Sequence, residues 1–199
     1  MKSRSILLGA ILLAIAGCNL NPTITPTVPT PTIPATPIAD NNSSSTIPMT
    51  TQVDKQSGVA FDYPTGWTVS VPPDQPAVAY SYSIASFDFL NPPSVQNKGQ
   101  QGVPAGETEI QVNFHTTEDT VESIRGDLQA EVANGTAKIL KEQRRTAPDG
   151  VVAYYYEIQG MLEGTGYLYQ TSINGHTVSV VAYGEGAHFE DVVKSLRVA

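Results

Sequence analysis

From Val53 to the last residue the apolar positions follow two periods. Val59, Phe61 and Tyr63 alternate with Ala60 and Asp62, and after Pro64-Thr65-Gly66 the alternation resumes at Trp67, Val69 and Val71, so two short strands lie around a Pro-Gly turn. Further runs of strand character cover Val78 to Tyr82, with an extension toward Phe89, then Glu109 to Phe114, Lys138 to Arg144, Val151 to Gln159, Tyr167 to Ile173 and Thr177 to Tyr183. Asn174-Gly175 separates the last two, and because both residue types tolerate positive φ the spacing predicts an antiparallel hairpin closed by a type I′ turn.

A helical period replaces the alternation in two places. In "TTEDTVESIRGDLQAEVANG", Val121, Ile124, Leu128 and Val132 fall three or four residues apart; Thr116 or Thr117 is the expected cap, Glu118 and Asp119 sit at the expected positive end, and Asn134-Gly135 is the stop. In "HFEDVVKSLR", Phe189, Val192, Val193 and Leu196 share one side, with Lys194 and Arg197 near the C-terminal end. Both stripes are read as core-facing.

The first 52 residues show neither period. Lys2 and Arg4 precede an apolar run from Ile6 to Ala16, and Ile15-Ala16-Gly17-Cys18 brings small residues up to the chain's single cysteine. A bilayer-spanning helix needs about 20 apolar residues, and Asn19 and Pro22 interrupt first. Residues 1–17 are therefore expected to be a signal peptide. Ile15 to Cys18 resemble the lipobox of bacterial lipoproteins, which implies a diacylglyceryl group on the Cys18 thiol, cleavage before it and acylation of the new amine; a secretory signal with a chance cysteine is the competing reading. With one cysteine no internal disulfide can form. Residues 18–52, with repeated Thr-Pro and then "DNNSSST", read as a tether whose proline-fixed backbone could reach roughly 100 Å. The clustered Thr and Pro also permit O-glycosylation, although a plain spacer is the favoured reading.

Composition narrows the partners. The 199 residues carry a formal charge of −8, and loss of Lys2 and Arg4 would leave nine basic against nineteen acidic residues. A phosphate backbone is repelled by such a surface, so nucleic acid is not an expected partner, and membrane attachment would rest on the acyl chains. Lys138, Lys141, Arg144 and Arg145 form one local basic spot, read as a solvated face or, less readily, an anion site.

The opening "GVAFDYPTGWTV", strands, a central helix, a run of antiparallel strands and a last helix ending "VVKSLRV" resemble the PsbP-like superfamily over residues 53–199. That group contains the extrinsic photosystem II subunit, bacterial lipoprotein relatives and a structurally similar Ran-binding nuclear import factor. The resemblance implies an α+β domain built as an antiparallel sheet flanked by helices, an α/β/α sandwich, in a family of mainly non-enzymatic binding or assembly proteins. No family functional residue maps onto this chain.

Candidate chemistry is sparse. His115, His176 and His188 fall in no triad or metal motif, and no G-x-S-x-G elbow is present. Glu185, His188, Glu190 and Asp191 are the weak metal candidates, since carboxylates with an imidazole could hold a divalent ion; the same acids also suit a helix N-terminus without any metal. The 17-residue polar stretch Asn91 to Glu107 exceeds the usual ~12–15 limit for an idle loop and is either disordered or used for contact. Tyr154 to Tyr156, Tyr167, Tyr169 and Tyr183 lie on neighbouring strands, as cross-strand packing or as an aromatic platform. No cofactor is expected. The expected protein is a non-enzymatic, lipid-anchored, extracytoplasmic module that binds a protein partner; capture of a small molecule or divalent metal for an envelope transporter is the alternative, and a hydrolase using His115 or His176 beside a Ser or Asp is third.

Overall fold

The computed structural model describes residues 47–71, 79–88, 102–147, 149–160 and 165–199. Cys18, the expected leader and tether up to residue 46, and residues 91–101 of the long polar stretch lie outside them. The described residues form ten strands and two helices in the order β1 (Met49–Asp54), β2 (Val59–Pro64), β3 (Thr68–Ser70), β4 (Tyr80–Ala85), β5 (Thr108–Phe114), α1 (Val121–Ala133), β6 (Lys138–Thr146), β7 (Val152–Gln159), β8 (Thr165–Ile173), β9 (His176–Gly184), α2 (Phe189–Ser195) and β10 (Arg197–Val198).

All strand pairs are antiparallel. Seven strands form one sheet in the order β3-β4-β5-β9-β8-β7-β6, and three form a smaller one, β1-β2-β10. The Asn174-Gly175 hairpin is as expected: Ile173 pairs with His176, and the two turn residues have φ of 50° and 77°. The two strands around Pro64-Thr65-Gly66 also form, but they do not pair with each other. β2 joins the small sheet and β3 the edge of the large one, so the turn carries the chain from sheet to sheet.

Period-two alternation gives the large sheet two buried faces. On one, Ile110, Val112 and Phe114 of β5, Tyr155 of β7, Tyr169 of β8 and Val178, Val180 and Ala182 of β9 pack against Val59 and Phe61 of β2 and against Phe189, Val192 and Val193 of α2. On the other, Tyr156, Ile158, Leu168, Val181 and Tyr183 pack against Leu128 and Val132 of α1 and against Val103. The protein is thus a sheet-dominated α+β fold. The expected helices on both faces become a helix on one face and, on the other, a second sheet with a seven-residue helix beside it.

Local chemistry moves two boundaries. β1 begins at Met49, inside the stretch expected to be tether, and pairs along its whole length with β2. The cap of α1 is Thr120 rather than Thr116 or Thr117: its hydroxyl accepts from Ser123 N–H, and the Ser123 hydroxyl accepts from Thr120 N–H, a reciprocal capping box. Thr116 instead gives its N–H and hydroxyl to Asp119, closing a turn that keeps Glu118 and Asp119 ahead of the helix. The C-terminal stop at Asn134-Gly135 stands, with Gly135 at φ 75°. Beyond α2 the chain returns to the small sheet as β10, an element absent from the sequence reading. No described helix is long and apolar enough to cross a membrane.

Candidate functional site

One polar row crosses six strands on the α1 side of the large sheet. Ser81 of β4 pairs with Asn113 of β5, Asn113 with Ser179 of β9, Ser179 with Gln170 of β8, Gln170 with Tyr154 of β7, and Tyr154 with Arg144 of β6. His115 reaches the row: its Nε2 lies 2.8 Å from the Ser179 hydroxyl. Burial holds the imidazole below its ordinary value, with the nearby Asp119 charge opposing. The contact brings a serine beside His115, the geometry a hydrolase reading requires. Ser179, however, is only 4% exposed, and the Asp119 carboxylate accepts from Thr116. The nucleophile of such a pair must reach a substrate carbonyl, and this one is covered. Next to it Gln170 is fully buried, and neither Nε2 nor Oε1 has a hydrogen-bond partner among the described residues. His176 sits on the first position of β9, after the hairpin turn.

The metal candidates disperse. His188 Nδ1 lies 2.9 Å from Asp191 Oδ2, Glu190 is held by Arg145 with two contacts of 3.0 Å, and Glu185 is exposed on the turn that precedes α2. Among the described residues no three His, Cys, Asp or Glu side chains converge.

The tyrosines divide as alternation requires. Tyr155, Tyr167 and Tyr169 belong to the face under the small sheet and α2, whereas Tyr154, Tyr156 and Tyr183 belong to the α1 face. Tyr155 and Tyr167 flank Phe189 at ring separations of 6.1 and 5.7 Å. Burial, with Glu109 adding to it, pushes the Tyr183 phenol up to about 12. Tyrosines split between two faces make packing contacts rather than one platform.

The basic spot has the most accessible chemistry. β6 is nine residues long, lies at the edge of the large sheet and is exposed at seven of its positions. It carries Lys138, Lys141, Arg144 and Arg145 with Glu142. Lys141 reaches Glu157 at 3.0 Å and thereby holds that carboxyl below its ordinary value. Arg125 from α1 reaches Glu142 at 2.8 Å and lies 4.8 Å over the Tyr154 ring. Arg145, bonded to Glu190, lies 3.9 Å over Tyr155. Lys138 and Arg144 take no part in the ion pairs of the described residues. Five cations therefore gather around three carboxylates on an otherwise acidic chain.

Two further sites escaped the sequence reading. Asp54, 4% exposed, accepts bonds from Ser57 N–H (2.8 Å), the Ser57 hydroxyl (2.5 Å), Tyr80 (2.6 Å) and Tyr82 (3.0 Å). An apolar cavity of about 200 Å³ opens beside β10, lined by Asp149, Ile173, Leu196, Arg197 and Val198. Asp54 stands in a polar stretch without periodicity, and the cavity joins residues far apart in the chain, so neither had a local signal.

No protein-family model matches the sequence, and no curated protein matches it significantly. Among solved structures, the solution structure of cyanobacterial PsbP (CyanoP) from Synechocystis is similar at 16% identity and a TM-score of 0.46, covering 82% of this chain and all of that one. A crystal structure of a Pseudomonas aeruginosa protein of unknown function aligns at 15% identity and a TM-score of 0.35, over 71% of this chain and 87% of that one.

Proposed function

We propose that this chain is an extracytoplasmic, lipid-anchored docking module of PsbP-like fold that binds a protein partner and performs no catalysis of its own. The anchor rests on the order of Lys2 and Arg4, the apolar run and Cys18. The docking role rests on one observation above the others: an exposed nine-residue edge strand gathers cations on a chain of net charge −8. An unpaired edge offers backbone donors and acceptors, and a local charge opposite to the bulk orients an incoming partner. The buried Ser179 and dispersed acids leave the catalytic and metal readings with less support.

The test is affinity capture of the full-length chain from solubilised membranes, alongside the Lys138→Glu/Arg144→Glu variant. Wild type should return a stoichiometric protein that the variant loses, and intact mass should place acyl groups on Cys18. Retention of the same protein by the variant refutes β6 as the docking strand, and an unacylated, cytosolic chain refutes the anchor.

The cavity beside β10 supports one alternative, capture of a small apolar molecule. Native mass spectrometry of the chain extracted from membranes would reveal a bound ligand that a Leu196→Trp filling variant lacks.

A further inference from the structure

We infer that the partner enters β6 as an added strand, an extended acidic polypeptide segment of about six residues. The inference rests on the docking reading and deepens it. A β-bulge interrupts the register between Ile139 and Lys141, and from there the pairing with β7 is regular: Lys141 opposite Glu157, through Arg145 opposite Ala153, to Thr146 opposite Val152. Six regular residues present an edge of about 20 Å that no other described strand pairs. β3, at the far edge of the same sheet, has three residues, and β10 has two. β1 is a third edge but carries no cation. Among the described edge strands only β6 joins length to positive charge.

Charge decides the occupant. Lys141, Gln143 and Arg145 point to the α2 face, and Glu142, Arg144 and Thr146 to the α1 face, so cations flank the edge above and below. A second copy of β6 would bring Lys and Arg against Lys and Arg, while the bulge and charged side chains are the usual guards against such self-pairing. An acidic strand laid along Lys141 to Thr146 begins after the bulge and meets opposite rather than like charge. Its backbone would pair with β6, and carboxylates on alternate residues would reach Arg144 on one face and Lys141 or Arg145 on the other. Arg145 and Lys141 already hold Glu190 and Glu157, so the incoming carboxylates would share or replace those partners. Lys138 and Arg144, outside the ion pairs of the described residues, supply further positive charge. An anionic membrane surface is less well matched, because Leu140 is the strand's one strongly exposed apolar side chain.

The probe is a capped eight-residue peptide alternating Glu with Val and Thr, titrated against the full-length chain in detergent. Three comparisons accompany it: the peptide N-methylated at every second residue along one edge, in each of the two registers; its Lys-for-Glu counterpart; and phosphatidylglycerol vesicles. The acidic peptide should bind, with affinity falling at least tenfold on methylation of the edge facing β6 and at least tenfold in Lys138→Glu/Arg144→Glu. A Lys55→Glu/Lys194→Glu control, equal in charge change, should bind as wild type. Absence of binding, indifference to methylation of either edge, equal binding of the Lys peptide, or vesicles bound through Lys138 and Arg144 in its place would each overturn the inference. If the captured partner is still lost on charge reversal while the peptide fails to bind, strand addition falls and the docking role stands; a partner that survives charge reversal removes both.

Discussion

Arg145 and Glu190 meet through two parallel contacts, Nη1 to Oε2 and Nη2 to Oε1, each 3.0 Å, and the same guanidinium lies 3.9 Å over the Tyr155 ring. One side chain thus fastens the edge strand to α2 across the outside of the core. Fork geometry and ring stacking are both properties of a planar guanidinium, and a lysine ammonium reproduces neither. The two side chains remain 29% and 41% exposed, so solvent screens the pair. Arg145→Ala should cost about 1 kcal/mol in denaturant unfolding, and Arg145→Lys should recover less than half of that loss. Full recovery by lysine would mean that only charge matters.

Asp54 joins the two sheets. It stands at the end of β1 and accepts from Tyr80 and Tyr82 of β4, while Asn174 of the β8–β9 turn donates to the Ser57 carbonyl at 2.8 Å. Burial works to raise the Asp54 carboxyl, but the bonds from Ser57, Tyr80 and Tyr82 together outweigh it and hold the group below its ordinary 3.8. Burial and the Asp54 charge push the Tyr80 phenol up. A carboxyl depressed in the folded state contributes stability that is complete above 3.8 and declines as pH falls from there toward the folded value. Asp54→Ala strands three hydroxyl groups and should cost about 2–4 kcal/mol. Asp54→Asn should cost less, and its stability should vary less with pH below 4 than that of wild type; parallel urea midpoints from pH 5 to pH 2.5 would decide, with unchanged slopes counting against the network.

The same residue shows where sequence reading stops. Long periodic elements were legible: β5, β7, β8, β9 and α1 follow alternation or a helical repeat, and Asn174-Gly175 announced its hairpin. β1 was not legible, because its inward positions are Thr50, Gln52 and Asp54 and the burial of Asp54 depends on tyrosines 26 and 28 residues away. β10 was hidden for a related reason: two residues acquire strand pairing only because β2 lies beside them. The cap of α1 shifted because Thr116, Thr117 and Thr120 are equivalent in sequence, and only Ser123 at the third helical position selects Thr120. Of the candidate sites, the basic spot was visible as composition, but its place on a sheet edge follows from strand order. The Ser179–His115 contact is a cross-strand proximity with no local signature.

His115 should titrate below the ordinary histidine value of 6.5, because burial disfavours its charged form more than the nearby Asp119 carboxylate favours it. An imidazole depressed in the folded state leaves the unfolded chain holding more protons once pH drops below 6.5. Stability is therefore complete above that value and declines as pH falls toward the folded pKa. The His115 ring proton signal should shift with a midpoint below 6.5, and His115→Gln should flatten the stability profile between pH 7 and pH 5. A midpoint at or above 6.5 would show that the Asp119 charge outweighs burial.

Gln170 presents the opposite problem to Asp54, a fully buried amide with no partner on either atom among the described residues. It occupies the middle of the polar row, between Tyr154 and Ser179, beneath the α1 side of the sheet. A buried amide without hydrogen bonds costs about 1–3 kcal/mol relative to a satisfied one, and an apolar side chain of the same shape removes that penalty without opening a cavity. Gln170→Met should raise the unfolding free energy by about 1 kcal/mol and leave the Ser179–His115 contact in place, so that the His115 midpoint does not move. Gln170→Ala removes the same amide but leaves a void, and should destabilise by about 1–3 kcal/mol. Loss of stability in the methionine variant comparable to that in the alanine variant would mean that the amide does bond in solution, to a water held between the sheet and the helix.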